Sequence, residues 1–418
     1  MDTKPGTDYH SPPVKDFNQR MQGQPKIELS EHALIAEAQQ ETGLRRFGDE
    51  SFLAALRRLL DAIEQEANLN PFGRRVAKSR TVASLKNRLW ANACFEAHPE
   101  ILQRKIVAPV IIVGPHRSGT TRLQHMLACD ARLRHLQAWE GINPAPRTAD
   151  VVLDKTTRYE EARALLDHRK DVYPEGHAAH PMHADWPEEE MLLMNHSFSG
   201  FSALGLYTIP SYYTWFIQDD KTAAYRYMAD LMRLISWSKG EPENKRWILK
   251  NPQHMLNLDT LLKVFPDAKL VFPHRDPIKT VGSMLSLAWR FAVQHTNASC
   301  RAQIRNTWLD FCVQAASRCI QIRERTPAAQ QLDVYYEETN RDWRAVMQCI
   351  YRFIDLPFTP AVEQKMETWL IESQRERSHS SNHLYDVTDF GITDQQVDAT
   401  MMFVRKRYAI PYESHAPW

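Results

Sequence analysis

Three features of the sequence predict an α/β fold in which a central parallel β-sheet lies between layers of helices. Val110-Ile111-Ile112-Val113 is a short, wholly apolar, β-branched run, the composition of a strand buried on both faces. Trp247-Ile248-Leu249 and Lys269 to Pro273 are further strand-like runs, and Leu332-Asp333-Val334-Tyr335 supplies a fourth. Helical periodicity separates these runs, and strands that alternate with helices imply crossover connections and a parallel sheet.

In chain order, residues 1–28 are polar and proline-bearing and predict a flexible or surface-bound arm. Residues 29–105 read as a helical cap. Ser30 caps a helix through Thr42 that Gly43 stops, and Asp49 precedes Phe52, Leu53, Leu56, Leu59, Leu60 and Ile63, one apolar stripe on a second helix. A third helix is predicted from Val82 to Glu96, before Pro99. Residues 106–418 then form the α/β domain. Its first strand leads into a helix bearing Leu123, Met126 and Leu127. The strand at Trp247 leads into a helix holding Met255, Leu258, Leu261, Leu262 and Phe265, a turn at Pro266-Asp267, the strand from Lys269 and a helix beginning near Ile278. Between the halves, about residues 150–245, lies a helical insertion rich in aromatics: Phe198, Phe201, Tyr207, Tyr212, Tyr213, Trp215 and Phe216. Most of these are expected in the core, with a minority lining an apolar acceptor pocket.

Composition narrows the function. The chain has 418 residues, 43% of them hydrophobic, enough for a sizeable core without disulfides or a structural metal. Lys plus Arg number 52 against 51 Asp plus Glu, so no global field points to nucleic acid or an anionic membrane. Any anion must be recognised by a local cluster. Six scattered cysteines form no CxxC pair, which argues against zinc and a secreted disulfide framework. With no apolar run resembling a signal peptide and none near the ~20 residues of a membrane helix, a cytoplasmic location is expected.

The strongest chemical signal is Gly114-Pro115-His116-Arg117-Ser118-Gly119-Thr120-Thr121, directly after the first strand. A strand–loop–helix with glycines at this spacing lets backbone N–H groups wrap a phosphate, and the helix N-terminus adds partial positive charge. The fold is therefore expected to be P-loop-like and three-layered. In nucleotide hydrolases such a loop ends Gly-Lys-Ser/Thr. Thr120 stands at the lysine position here, which suits a 5′-phosphate better than a triphosphate and counts against a P-loop kinase or hydrolase. A second signal is His274-Arg275-Asp276-Pro277, with Ser283 eight residues after Arg275. A guanidinium at a strand end and a hydroxyl two turns into the next helix can hold another phosphate. His177, His180 and His183 recur at spacing three, but Pro181 breaks any helix that would align them, so no metal site is expected. In Trp186-Pro187-Glu188-Glu189-Glu190 the acids suit the first turn of a helix, although Glu189 or Glu190 could reach the pocket.

These motifs resemble those of the sulfotransferases that use 3′-phosphoadenosine-5′-phosphosulfate (PAPS), and more closely the large bacterial branch of that superfamily. The resemblance rests on Arg117 to Thr121, Trp139-Glu140, Leu249-Lys250-Asn251-Pro252-Gln253-His254 and His274 to Pro277, and runs from about residue 30 to the C-terminus. It implies a loop for the 5′-phosphosulfate, with His116, Arg117, Ser118, Gly119, Thr120 and Thr121, and a 3′-phosphate site at Arg275 and Ser283. His116 stands where the family more often has proline, and could add a phosphate ligand; Ser118 replaces threonine. Tyr336, in Tyr336-Glu337-Glu338, resembles a tyrosine that contacts the nucleotide, and His383 belongs to a segment resembling a loop that closes on the phosphates. In-line sulfuryl transfer to a hydroxyl needs cations on the transferring group and a base, but no metal. Lys250 and Arg117 fit the first need. Glu140 is the expected base and His254 its rival, the histidine titrating nearer neutral pH. The expected acceptor is a small hydrophobic or amphipathic alcohol or phenol, and the product nucleotide 3′,5′-adenosine bisphosphate. Oligomeric state is left open, and a non-catalytic nucleotide-binding protein is the alternative from another class.

Overall fold

The computed structural model of the chain describes residues 6–148, 151–298, 300–378 and 386–413. Five parallel strands form its sheet: β1 (Val110–Ile112), β2 (Leu133–His135), β3 (Arg246–Lys250), β4 (Lys269–His274) and β5 (Gln331–Tyr335), in the order β2-β3-β1-β4-β5. The central strand β1 lies between β3 and β4, with Ile112 opposite both Lys250 and Val271. Four of these strands coincide with the apolar runs. The unanticipated β2 is three residues long and carries Arg134 and His135, too short and too polar to show a strand pattern. As an edge strand it needs only one partner, β3.

Side chains alternate across the sheet and build two cores. Ile111, Val113, Leu249, Leu270 and Phe272 face the helix Thr222–Ser238 on one side. Val110, Ile112, Ile248, Val271 and Val334 meet the helices Thr120–Ala128 and Trp343–Phe353 on the other. A third core joins the N-terminal helices to the aromatic insertion: Phe52, Leu56 and Leu85 pack in the same cluster as Phe201, Tyr212 and Phe216. All the insertion aromatics named above are buried except Trp215, which is half-buried beneath the Lys221 ammonium.

The N-terminal helices follow their capping signals. Ser30 accepts a hydrogen bond from Ala33 N at the start of Glu31–Thr42, and Gly43 ends it in the left-handed conformation. The stripe helix spans Phe52–Glu66. The third helix starts eleven residues earlier than Val82, at Pro71, and runs to Ala97. Pro71 suits a first helical turn and the Asn70 side chain accepts from Gly73 N at 2.7 Å, but Arg74, Arg75, Lys78 and Arg80 hide the apolar face in the sequence. The segment from Met255 to Phe265 is not one helix: Asn251 caps a single 3₁₀ turn, Pro252–Met255, and an α-helix begins at Leu258. The described part of the arm, from residue 6, carries a helix. Its helix Pro12–Arg20 buries Val14 against Phe72 and Val172, and His10 and Ser11 hydrogen-bond to Thr296 O and the Gln294 side chain. No helix among the described residues is long and apolar enough to cross a membrane.

Candidate active site

In an open parallel sheet, ligands bind beyond the C-terminal ends of the strands where the winding reverses direction. From β1 the chain crosses toward β2 and β3; from β4 it crosses toward β5. The crevice between β1 and β4 is thus the switch point, and the two motifs flank it. The Gly114–Thr121 loop leaves β1, and His274-Arg275 ends β4.

Close packing accounts for the loop's glycines. A side chain at Gly114 would come within 2.7 Å of the Pro273 ring, and one at Gly119 within 2.9 Å of the Tyr336 ring. Gly119 also sits at φ +87°, a left-handed turn that glycine adopts freely, and opens the helix Thr120–Ala128. Arg117 takes the same region at φ +66° with a full side chain, a cost of about 1–3 kcal/mol. That conformation lets its guanidinium bridge the crevice: Nε donates to Ser283 Oγ at 3.1 Å and Nη1 to Ala179 O at 3.0 Å. The first N–H groups of the helix have no intrahelical acceptor and face the crevice end of the loop. Ser118 is turned inward, its hydroxyl donating to Pro115 O at 2.8 Å. Thr120 is buried, while Thr121 is exposed.

On the β3 side, Lys250 is almost fully buried. Its ammonium pairs with Glu189 and approaches Thr121 Oγ1 at 3.4 Å, and its backbone N–H donates to Glu190 Oε2 at 2.9 Å. The three glutamates at 188–190 gather around Lys250, His254 and His180, a grouping the sequence did not single out. They do not cap a helix through their side chains; the helix begins only at Met191. A single antiparallel bridge, Gln137 to Pro187, ties the segment beside the end of β2, and Glu188 N donates to Leu136 O. All three carboxylates are buried. Burial raises the Glu189 pKa, with the Glu188 charge adding to it, despite the opposing pull of Lys250. Burial also acts to raise Glu188, but His180, 3.6 Å away, together with Lys250 and the Glu189 amide, holds it below the usual carboxylate range.

The two candidate bases, Glu140 and His254, are both buried and paired. Glu140 closes a capping box, accepting from Gln137 N at 3.0 Å, and pairs with Lys239 at 2.6 Å and Arg134 at 3.8 Å. Arg134 lies on the edge strand β2 and Lys239 at the end of the helix Thr222–Ser238. His254 is fully buried between Glu190, 2.5 Å from Nε2, and the Tyr225 hydroxyl, 2.8 Å from Nδ1. Both ring nitrogens are therefore committed, and the histidine fixes Glu190. His116 is held among aromatic side chains. Its ring stands edge-on to Phe201 and Trp308, and burial, reinforced by Lys250 and Arg117, pushes its pKa down to about 3.

On the β4 side, Arg275 donates from Nη1 to Arg117 O at 2.8 Å and lies 4.0 Å above the Tyr336 ring. Its remaining guanidinium edge grips the Glu413 carboxylate through two bonds of 2.8 and 3.0 Å. Glu413 is positioned in turn: its N–H donates to Asp276, which Arg405 holds at 2.6 Å. The structure thus brings Arg117, Ser283, Arg275, Tyr336, Gly119, Thr121 and Lys250 around one crevice. His383 lies outside the described residues. His177 meets His183 edge-to-face and His183 lies against Trp186, and no group of residues suited to a metal ion occurs among the described residues.

A glycine loop at the switch point of a parallel sheet, faced by Arg275, defines a P-loop-like α/β protein. Comparison with known proteins makes the class specific. Residues 109–360 match the sulfotransferase family, and the chain belongs to it. The structure is similar to sulfotransferase STF9 from Mycobacterium avium, with a TM-score of 0.78 at 27% identity, covering 94% of this chain and 99% of that one. It is also similar to sulfotransferase STF1 from Mycobacterium tuberculosis, with a TM-score of 0.74 at 28% identity, covering 90% and 99%. No functionally curated protein matches the chain.

Proposed function

We propose that the protein transfers a sulfuryl group from PAPS to the hydroxyl of a small hydrophobic or amphipathic alcohol or phenol in the cytoplasm. PAPS supplies the activated sulfuryl group, and 3′,5′-adenosine bisphosphate is left when that group has moved. The observation that carries the reading is the buried Lys250–Glu189 pair beside Thr121 at the mouth of the loop. It sets a cation and a carboxylate of raised pKa side by side where the loop presents its N–H groups.

The residues fit the nucleotide at both ends. Arg275 already holds an anion, the Glu413 carboxylate, with the two-pronged geometry a phosphate would use. Gly119 leaves the loop open to close approach, since any side chain there would strike Tyr336. In this scheme Arg275 and Ser283 hold the 3′-phosphate, Tyr336 flanks the nucleotide, and the loop from Ser118 to Thr121 wraps the 5′ end. Arg117 and Lys250 neutralise charge on the transferring oxygens, where a water-poor site makes each cation most effective. Glu189 takes the acceptor proton. Its raised pKa brings it nearer the operating pH, as a general base requires. Glu188 keeps a negative charge beside His180, and His254 with Tyr225 orients Glu190 behind Lys250.

The test is turnover with PAPS labelled in its sulfuryl group, against a panel of phenols, aliphatic alcohols and sugars. Labelled sulfate esters of the apolar acceptors, formed without added metal, are expected. Transfer to sugars alone would overturn the acceptor class, and absence of transfer to any hydroxyl would overturn the activity.

A further inference from the structure

Two elements lead away from Arg117 in the same direction. On the helix Pro277–Ala292, Ser283, Ser286 and Arg290 follow one another at spacings of three and four and so share a face. At 1.5 Å per residue, Ser283 and Arg290 stand roughly 10 Å apart along its axis. The short helix Pro174–Ala179 packs alongside, so close that a side chain at Gly176 would meet the Phe291 ring at 2.6 Å. Side-chain contacts tie the two helices together at each end. Arg117 donates to Ser283 Oγ and Ala179 O at the loop, and further along Arg290 reaches Ser286 Oγ at 3.4 Å and pairs with Glu175.

At this far end Arg290 and Ser286 line an open pocket of about 280 Å³, close to the lower bound of roughly 300 Å³ for small-molecule sites. Its cations lie inward and its acids outward. The Arg290 and Arg301 side chains are 18% and 14% exposed, whereas their partners Glu175 and Asp389 are 68% and 58% exposed. Asp386 is exposed as well. Ion pairs to such open carboxylates contribute only about 0–1 kcal/mol, less than a two-pronged bond between a guanidinium and a carboxylate taken out of water. The walls suit a flat ligand: Trp289 lies 4.3 Å beneath the Arg301 guanidinium, and the Phe390 ring faces the same space.

We propose that this pocket holds the acid end of the acceptor: the substrates are phenols that carry a carboxylate roughly 8–10 Å from the hydroxyl, the span from Arg117 to Arg290 along the helix, and Arg290 selects them. The inference rests on the sulfotransferase reading and narrows its acceptor class. The hydroxyl lies at the Arg117 end, where the sulfuryl group is transferred, and the carboxylate meets Arg290 beside Ser286.

The experiment is calorimetric titration of the full chain, loaded with 3′,5′-adenosine bisphosphate, with 3-(4-hydroxyphenyl)propanoate and its neutral amide. The acid is expected to bind about 10- to 100-fold more tightly than the amide. For 2-hydroxybenzoate, whose acid lies beside the hydroxyl, no such preference over its own amide is expected. Arg290→Gln should abolish the preference while leaving bisphosphate affinity unchanged. Ser286→Leu, which narrows the same pocket, is the second variant should the first not fold. Glu175→Gln should strengthen acid binding by up to about fivefold, since it removes the rival carboxylate. Equal binding of acid and amide, a preference that ignores the spacing, or one that survives both pocket variants overturns the proposal. Should the bisphosphate fail to bind, the donor reading falls, and the acid and amide titrated into the unloaded protein still decide the pocket.

Discussion

The two sides of the crevice hold charge in opposite ways. On the β3 side, Lys250, Glu188, Glu189, Glu190 and His254 are all buried and bonded to one another. On the β4 side, Arg275 stacks on an aromatic ring and holds the Glu413 carboxylate from the chain's last described segment. Charges removed from water are costly unless tightly paired, and they respond strongly to any change in a neighbour. Such an arrangement suits a place where charge moves during reaction. A partly accessible guanidinium, by contrast, suits an anion that must enter and leave. The comparison separates chemistry, assigned to β3, from nucleotide retention, assigned to β4.

Substitutions on each side should therefore fail differently. The largest effect is expected for Lys250→Ala: transfer falls by about 10²–10³-fold while bisphosphate binding, measured by calorimetry, changes little. Glu189→Gln should lower turnover by about 10²-fold. The pH profile sharpens this assignment. Because burial raises the Glu189 pKa and only the carboxylate accepts a proton, activity should decline as pH falls through a midpoint above the ordinary carboxylate range. The glutamine variant should lose that limb of the profile. A profile identical to that of the native enzyme would remove Glu189 from the base role. Arg275→Ala should reverse the pattern, weakening the bisphosphate by about 10- to 100-fold through the loss of charge-assisted hydrogen bonds, with smaller change in turnover at saturation.

Two weaker effects test the edges of the scheme. Glu140→Gln should leave turnover unchanged but destabilise the fold by about 2 kcal/mol, since Lys239 loses its carboxylate while buried Arg134 keeps its pairing with Glu241; denaturant unfolding measures it. A large loss of turnover with intact stability would restore Glu140 as base. Glu413→Gln should tighten bisphosphate binding by up to about fivefold by weakening the competing anion on Arg275.

What was legible in the sequence follows the range of the forces involved. The strands at Val110, Trp247, Lys269 and Leu332 announce themselves through local apolar runs, and the loop through glycines at positions where packing admits no side chain. Arg117, Arg275, Ser283 and Lys250 could be placed because each follows a strand end or lies a fixed number of turns into a helix. The partners of Glu140 could not. Its distance along the chain from Gly119 says how far the chain can reach but not in which direction, and only the fold brings Arg134 and Lys239 to its carboxylate. Glu188–Glu190 look like a helix's first turn, and only the long-range bridge between Gln137 and Pro187 reveals them as part of the site. That bridge depends on β2, the strand whose three polar-bearing residues gave no pattern. His116 shows the same limit: its place in the loop suggests a phosphate ligand, but the aromatic rings that capture it come from residues 201, 308 and 311.

The most direct test of the account is calorimetric titration of the protein with 3′,5′-adenosine bisphosphate, with ATP plus Mg²⁺ as the comparison and Arg275→Ala as the control. The account predicts tight, metal-independent binding of the bisphosphate that the variant weakens, and weak binding of ATP. Binding of ATP alone would contradict it, for the loop would then serve phosphoryl chemistry rather than sulfuryl transfer.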